Sequence, residues 1–422
     1  MAGRAGWALG DQALSSVINF AIGVIVARSV DPDGFGAFTL ALSTYLIVVN
    51  VARALAAQPL VIRYSATTAE RWRQAVAGAG GALVLAGIGA GIPIALVGAF
   101  LPAPLGPALL ALSVALVPLL VQDGWRSALF AAGRGRSAFA VDLVYGAVVL
   151  PVLWLGTGLP VAQPAGTILL WGLSSLPSCA VGVWLTGARP RIGRALPWLR
   201  EHRDLGPRYA AEAGVGLAAG QGAMYVVGAV AGLAAAGSIR GAQLLLGPLS
   251  VLVQAAYLVA VPEGVRVRSK HPARFVPAMV VVSGALALVT IAWLGVLLAL
   301  PGPFGRELLG PSWDPARSVL LPIGLWLAGV SLAAGPVVGL RVLADAAASL
   351  RARLVDAPIG FLLATAGALL GGASGAAWGL AGAGLVSAAV CTIMFARSLS
   401  RARAERVRAV VDARQPMPPA EG

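Results

Sequence analysis

Residues 7–59 read WALGDQALSSVINFAIGVIVARSVDPDGFGAFTLALSTYLIVVNVARALAAQP. Two apolar runs, about 7–28 and 35–59, flank a short polar turn. A helix needs about 20 mostly apolar residues to cross the hydrocarbon layer, and lipid offers no hydrogen bond to an unpaired backbone. The stretch is therefore read as a helical hairpin that crosses a membrane twice.

Working outward, further apolar segments follow at about 75–100, 106–131, 138–156, 165–186, 208–232, 238–262, 275–300, 318–340, 354–372 and 376–397. The composition agrees: of 422 residues 58% are hydrophobic and 11% charged, and the mean hydropathy is +0.85. Soluble domains carry about a quarter charged residues. The chain is read as an all-α polytopic membrane protein of about twelve transmembrane helices. The longest basic connector divides it into an N-terminal six-helix lobe (1–187), a linker (188–206), a C-terminal six-helix lobe (207–397) and a basic tail (398–422). The first apolar run is full length and lacks a cleavage signature, so it is expected to remain as a span.

A formal charge of +14 would suggest nucleic acid for a soluble protein, but here the basic residues sort by connector. Only Arg28, Arg306 and Arg317 fall on one side and Arg53 and Arg240 within spans; the other 26 of 31 cluster at alternate connectors and the tail. This is the positive-inside pattern, placing both termini in the cytoplasm and the chain in the cytoplasmic membrane. No nucleic-acid partner is expected. Cys179 and Cys391 lie in apolar segments and read as small hydrophobes. His202 and His271 show no ligand spacing, and no metal, cofactor, nucleotide or nucleophile motif appears.

Ionisable groups inside spans cost about 2.5–3.5 kcal/mol each even on insertion scales, so they mark candidate sites. Arg53 shares a stripe of helix 2 with Thr39, Ser43 and Asn50, and Arg240 a stripe of helix 8 with Gln243, Ser250, Gln254 and Tyr257. Arg53, Arg240, Asn50, Gln243 and Gln254 are the substrate-binding candidates. A cationic path between two lobes would suit a pyrophosphate, which arginine holds bidentately. The competing structural readings are an acid partner for Arg53 and snorkelling for Arg240.

Asp11, in line with Ser15 and Asn19, and Glu212 at the corresponding place in the second half are candidates for proton or cation coupling; helix-dipole capping and pairing with Arg208 are the alternatives. Asp123, Arg126 and Asp142 are expected to form a local ion-pair cluster beside the Arg134–Arg136 turn. Pro59 and Pro262 are expected to end or kink their spans. Residues 304–313 are expected to lie on the membrane surface.

The run Asp11-Gln12-Ala13-Leu14-Ser15-Ser16, then Asn19-Phe20, Ala27-Arg28 and Asp31-Pro32-Asp33-Gly34-Phe35-Gly36-Ala37-Phe38, resembles the start of the Wzx-type polysaccharide flippases. These belong to the multidrug/oligosaccharidyl-lipid/polysaccharide (MOP) flippase superfamily. The stretch Gly237–Pro262 is similar to the matching part of the second lobe. Pro32 and Gly34 would reverse the chain, and Gly36 would let helices 1 and 2 pack closely.

The resemblance implies two six-helix lobes around a cavity that opens alternately to either face. It implies an undecaprenyl-diphosphate-linked saccharide as cargo, with membrane lipids and polysaccharide-assembly proteins as partners. The chain departs from lipid II flippases in lacking an arginine in the body of helix 1 and two further C-terminal helices. Arg53 and Arg240 are thus candidates of this chain's own. A cation- or proton-coupled multidrug exporter of the same fold is the alternative, and a membrane polymerase or ligase a second. The short, nearly uncharged outer connectors speak against an enzyme.

Overall fold

A computed structural model describes residues 2–65, 67–157 and 163–412. The described residues form helices and connectors with no strand among them. In the first half these are α1 (Ala2–Ser29), α2 (Pro32–Ala52), a π-helical turn (Arg53–Ala57), α3 (Gln58–Tyr64), α4 (Ala69–Phe100), α5 (Leu105–Ala131), α6 (Gly135–Gly156), α7 (Pro164–Leu173) and α8 (Leu176–Thr186). The linker carries α9 (Ala195–Glu201). The second half holds α10 (Gly206–Ala231), α11 (Leu233–Leu245), α12 (Gly247–Lys270), α13 (Phe275–Ala299), α14 (Gly302–Leu309), α15 (Trp313–Val342) and α16 (Ala346–Asp412).

Ten stretches are long and apolar enough to cross a membrane. One of them, within α16, has non-helical backbone at Gly371 and Gly372 and reads as two crossings. The helix α10, long enough at about 1.5 Å per residue, supplies another. About twelve crossings result, as the hydropathy pattern requires. Small residues set the packing: Gly335 faces the Met279 carbonyl of α13 and Gly379 the Leu363 carbonyl within α16, approaches that leave no room for a Cβ.

Four local expectations are corrected. The first helix begins at Ala2, so Asp11 lies more than two turns inside it and is not a helix-terminal cap. Neither proline ends its span. Pro59 lies in the first turn of α3 just after the π turn, a local distortion of the span in keeping with the kink expected there, and Pro262 is accommodated inside α12. Pro59 has no N–H to give to the Leu55 carbonyl four residues back, and Trp198 Nε1 of α9 points at that oxygen from 3.4 Å. The segment 304–313 lies on the surface by one face only: Phe304, Arg306 and Glu307 are exposed, but Leu309 and Trp313 are fully buried and Gly310 rests against the Arg28 backbone. Gly36 does not serve the packing of helix 1 on helix 2. It meets the Leu233 backbone at the start of α11, in the other half of the chain.

The two halves pair along α2 and α10, where Gly228 faces Leu40, the Thr44 and Tyr225 hydroxyls hydrogen-bond, and Gly206 sits beside Leu55. They meet again at the end that carries the poorly charged connectors. Asp33 Oδ1 accepts the Ala234 N–H at 3.0 Å, and Ser312 Oγ donates to the Ala27 carbonyl at 3.1 Å. Gly23 of α1 packs on Leu244 of α11. Nearer its start, the same face of α1 carries Gln12 and Asn19, both exposed. The halves therefore touch along α2 and α10 and are joined again through α1, α2 and α11 at the weakly charged end, while α1 carries an exposed polar face nearer its start.

Candidate functional site

The first half holds a buried charge network built on α5. Residues 122, 123 and 126 lie on adjacent turns of that helix and point to three neighbours. Arg53, at the start of the π turn, grips Asp123 through two parallel bonds, Nε to Oδ2 at 2.7 Å and Nη2 to Oδ1 at 2.6 Å. Arg126 donates from Nε (2.8 Å) and Nη2 (2.6 Å) to Asp11 Oδ2 of α1, and its Nε lies 3.1 Å from Asp142 Oδ2 of α6. Gln122 Nε2 donates to the other Asp142 oxygen at 3.0 Å. The three carboxylates are buried, Asp11 completely.

Three carboxylates thus share two guanidinium groups. Burial of charge in a weakly polarisable interior is tolerated only with partners. Asp123 and Asp142 have both oxygens engaged, whereas Asp11 Oδ1 is buried with no hydrogen-bond partner. The expected ion-pair cluster exists, but it is turned inward and recruits Arg53 and Asp11; Arg134 instead donates to the Leu185 carbonyl at 2.8 Å. Arg53 Nη1 takes part in none of these bonds, and the side chain remains 39% exposed. Asn50, one turn before, is half-buried and donates to the Leu46 carbonyl at 2.8 Å.

The second half presents a different arrangement. Arg240 lies two turns inside α11, half-buried, and no hydrogen bond or ion pair joins it to any described side chain. Gly237 and Leu244, three before and four after it, share its helix face. Gly237 touches Gly36 of α2 and Leu244 touches Gly23 of α1, so Arg240 looks towards the first half. Gln243, one turn on, is half-buried as well.

The side chains of Gln254 and Glu212 lie outside the described residues. Glu212 stands six residues from the start of α10 and Arg240 seven from the start of the antiparallel α11, near opposite ends of the helix pair. At about 1.5 Å per residue they are too far apart along the axis to pair.

The structure therefore brings Arg53 with Asp123, and Arg126 with Asp11 and Asp142, together as two neighbouring ion-pair groups on α5, and leaves Arg240 apart from them. Asp142 was expected beside Arg126, whereas the role of Gln122 as its second partner was not singled out in the sequence. The signal available was an acid in the first turns of helix 5 and a Gln-Asp pair in helix 4, both rare inside apolar segments.

No family model and no curated protein matches the sequence. Solved structures do match in shape. An inward-facing multidrug-resistance MATE-family transporter of the MOP superfamily aligns at TM-score 0.63 and 13% identity, over 92% of this chain and 95% of that one. The lipid II flippase MurJ in an inward closed conformation aligns at TM-score 0.66 and 13% identity, over 94% and 90%. A MOP-superfamily transporter from Pyrococcus furiosus Vc1, described by a reversed polarity of its binding pocket, aligns at 0.52 and 11% identity, over 93% of each chain. The chain has the fold shared by these transporters, two six-helix lobes in a multi-pass membrane protein. At such identities the likeness is one of fold.

Proposed function

We propose that the chain is a transporter of the cytoplasmic membrane that moves an anionic, lipid-linked saccharide between leaflets by alternating access. The cargo is a polyprenyl-diphosphate glycan, the precursor class of cell-surface polysaccharides. The termini and the arginine-rich connectors face the cytoplasm, so the end where α1 and α2 meet α11 is the outer one. One observation carries the reading: Arg240 faces the opposite lobe and has no acid partner among the described residues. An unpaired guanidinium at an interface between lobes is a seat for a phosphate. Arg53 adds an Nη1 that Asp123 does not engage, on a side chain 39% exposed, while Asp123 neutralises most of its charge. Asn50 and Gln243, both half-buried, are the polar partners proposed for sugar hydroxyls, and Gln254 remains a candidate beside them.

A second observation supports ion coupling, which the exporter reading shares. The first-lobe network has one carboxylate more than guanidinium groups, and Asp11 Oδ1 is unpartnered. Asp11 is the seat for a proton or monovalent cation, and Glu212 remains the candidate in the second lobe.

The test is reconstitution into liposomes with a fluorescent polyprenyl-diphosphate oligosaccharide, scoring its accessibility on the opposite leaflet with and without an imposed proton gradient. Protein-dependent movement that Arg240→Ala removes supports the glycolipid reading. Export of organic cations in place of glycolipid movement would move the assignment to a drug exporter.

A further inference from the structure

Outside the cleft, a depression of about 420 Å³ lies between α1 and α6, lined by Ile25, Leu150, Pro151, Trp154 and Leu155. It is shallow and open, every lining residue is apolar, and it lies on the face that meets lipid. Trp154 is 57% and Leu155 71% exposed. At its rim the Arg28 guanidinium stands 5.8 Å from the centre of the Trp154 ring.

Arg28 differs from the other two basic residues at this end. Arg306 is paired with Asp314 at 3.1 Å, and Arg317 donates to the Leu298 carbonyl at 2.8 Å. Arg28 is exposed and makes neither kind of bond among the described residues. The acids nearest in sequence are engaged elsewhere: Asp31 accepts the Gly34 N–H and Asp33 that of Ala234. The neighbouring connector 158–162 contains no charged residue. Arg28 therefore offers free donors above an apolar trough, with an indole beside it. That combination matches one phosphate and one hydrocarbon chain of the same molecule.

We infer that Arg28 and the α1–α6 trough form a binding site for an anionic phospholipid, its phosphate on Arg28 and an acyl chain against Leu150, Pro151 and Leu155. The site is distinct from the cleft and does not depend on which cargo the cleft takes. Its position gives it a consequence, because the Arg28 backbone is packed under Gly310 and the preceding Ala27 carbonyl accepts from Ser312. A lipid held here braces the contact that joins the halves at this end.

The test is native mass spectrometry of the delipidated full chain titrated with phosphatidylglycerol or with phosphatidylcholine of matched chains. Wild type should prefer phosphatidylglycerol about tenfold, the scale of one charge-assisted contact. Arg28→Ala should erase the preference, Arg306→Ala should keep it, and Leu155→Ala should weaken both lipids alike. Equal binding of the two lipids by wild type, or an unchanged preference in Arg28→Ala, overturns the inference. Displacement of phosphatidylglycerol by equimolar polyprenyl phosphate through the same residues overturns the choice of a phospholipid.

Discussion

Gly36→Ala is the sharpest probe of how the two halves are held together. A Cβ at Gly36 would lie 2.9 Å from Leu233 Cα and nearer still to the Leu233 carbonyl, where ordinary contact begins at 3.4 Å. Both partners are backbone, so no side chain can turn away. Relief from Leu233 Cα alone requires the starts of α2 and α11 to part by about 0.5 Å, and the carbonyl demands more. That stretches the 3.0 Å bond from Ala234 N–H to Asp33 to the limit of a hydrogen bond. A bond to a charged acceptor contributes about 1.5–3 kcal/mol, with the lower end apt for exposed Asp33. The joined state should thus lose at least about tenfold in population.

The sign is diagnostic, since alanine within a free helix would stabilise by about 0.5–1 kcal/mol over glycine. Nitroxide labels at Gln163 and Glu307, both exposed on the two halves at this end, should report a longer and broader distance distribution by pulsed electron resonance. Gly89→Ala, where an added methyl meets nothing within 4 Å, should leave it unchanged. A distribution in Gly36→Ala that matches wild type would refute the account of this contact.

Arg240→Ala should lower affinity for a diphosphate-bearing ligand about 10- to 150-fold, the equivalent of 1.5–3 kcal/mol, without changing thermal stability; Arg240→Lys should retain part of the binding. Arg53→Ala should behave differently, because it strands the buried Asp123 carboxylate. A stability loss of about 2 kcal/mol is expected, less than for a fully buried pair since Arg53 is 39% exposed. Replacing both, Arg53→Met with Asp123→Leu, should recover most of it in thermal unfolding.

At the start of α16, the Ala348 N–H and then the Ser398 hydroxyl hold Asp345 below the usual carboxylate range. A depressed value means its contribution is present above the unfolded value near 3.9 and fades as pH falls through the folded one. Asp345→Ala should cost about 1 kcal/mol at pH 7, and that difference should shrink below about pH 4.

Much of the fold was legible because the membrane imposes it locally. Each span must satisfy its own backbone within some twenty residues, so hydropathy read along the chain finds it without knowledge of its neighbours. The same logic explains the misplaced ends. Helix α1 extends back to Ala2 through a polar turn that hydropathy ignores. Pro59 reads as a stop until α9 is seen to place Trp198 Nε1 beside the carbonyl that this proline cannot satisfy. The buried side of segment 304–313 is hidden from a local reading because Gly310 rests on Arg28, nearly 300 residues earlier in the chain.

The site was legible only as a roster of costly residues. Arg53 and Asp123 stand 70 residues apart, and Asp11 lies 115 residues from Arg126. Nothing local distinguishes those pairings from Asp123 with Arg126, which helical spacing suggests and the structure does not contain. Spacing fails here because α5 presents its acid and its arginine to different neighbours, the π turn after α2 and the helix α1.

Arg240 shows the opposite case, where the sequence near it supplies no acid on its own helix and none is brought to it by the described fold. The two lobes are therefore electrically unlike: cations in the first are consumed by three carboxylates, and the second offers a cation across the cleft. If that cation holds the phosphate and the acid-rich network holds the ion, motion of the lobes links the two. Asp11→Asn should then leave ligand affinity intact while removing the dependence of transport on an imposed gradient. Loss of affinity together with gradient response in that variant would place both ligands in one site and contradict the division.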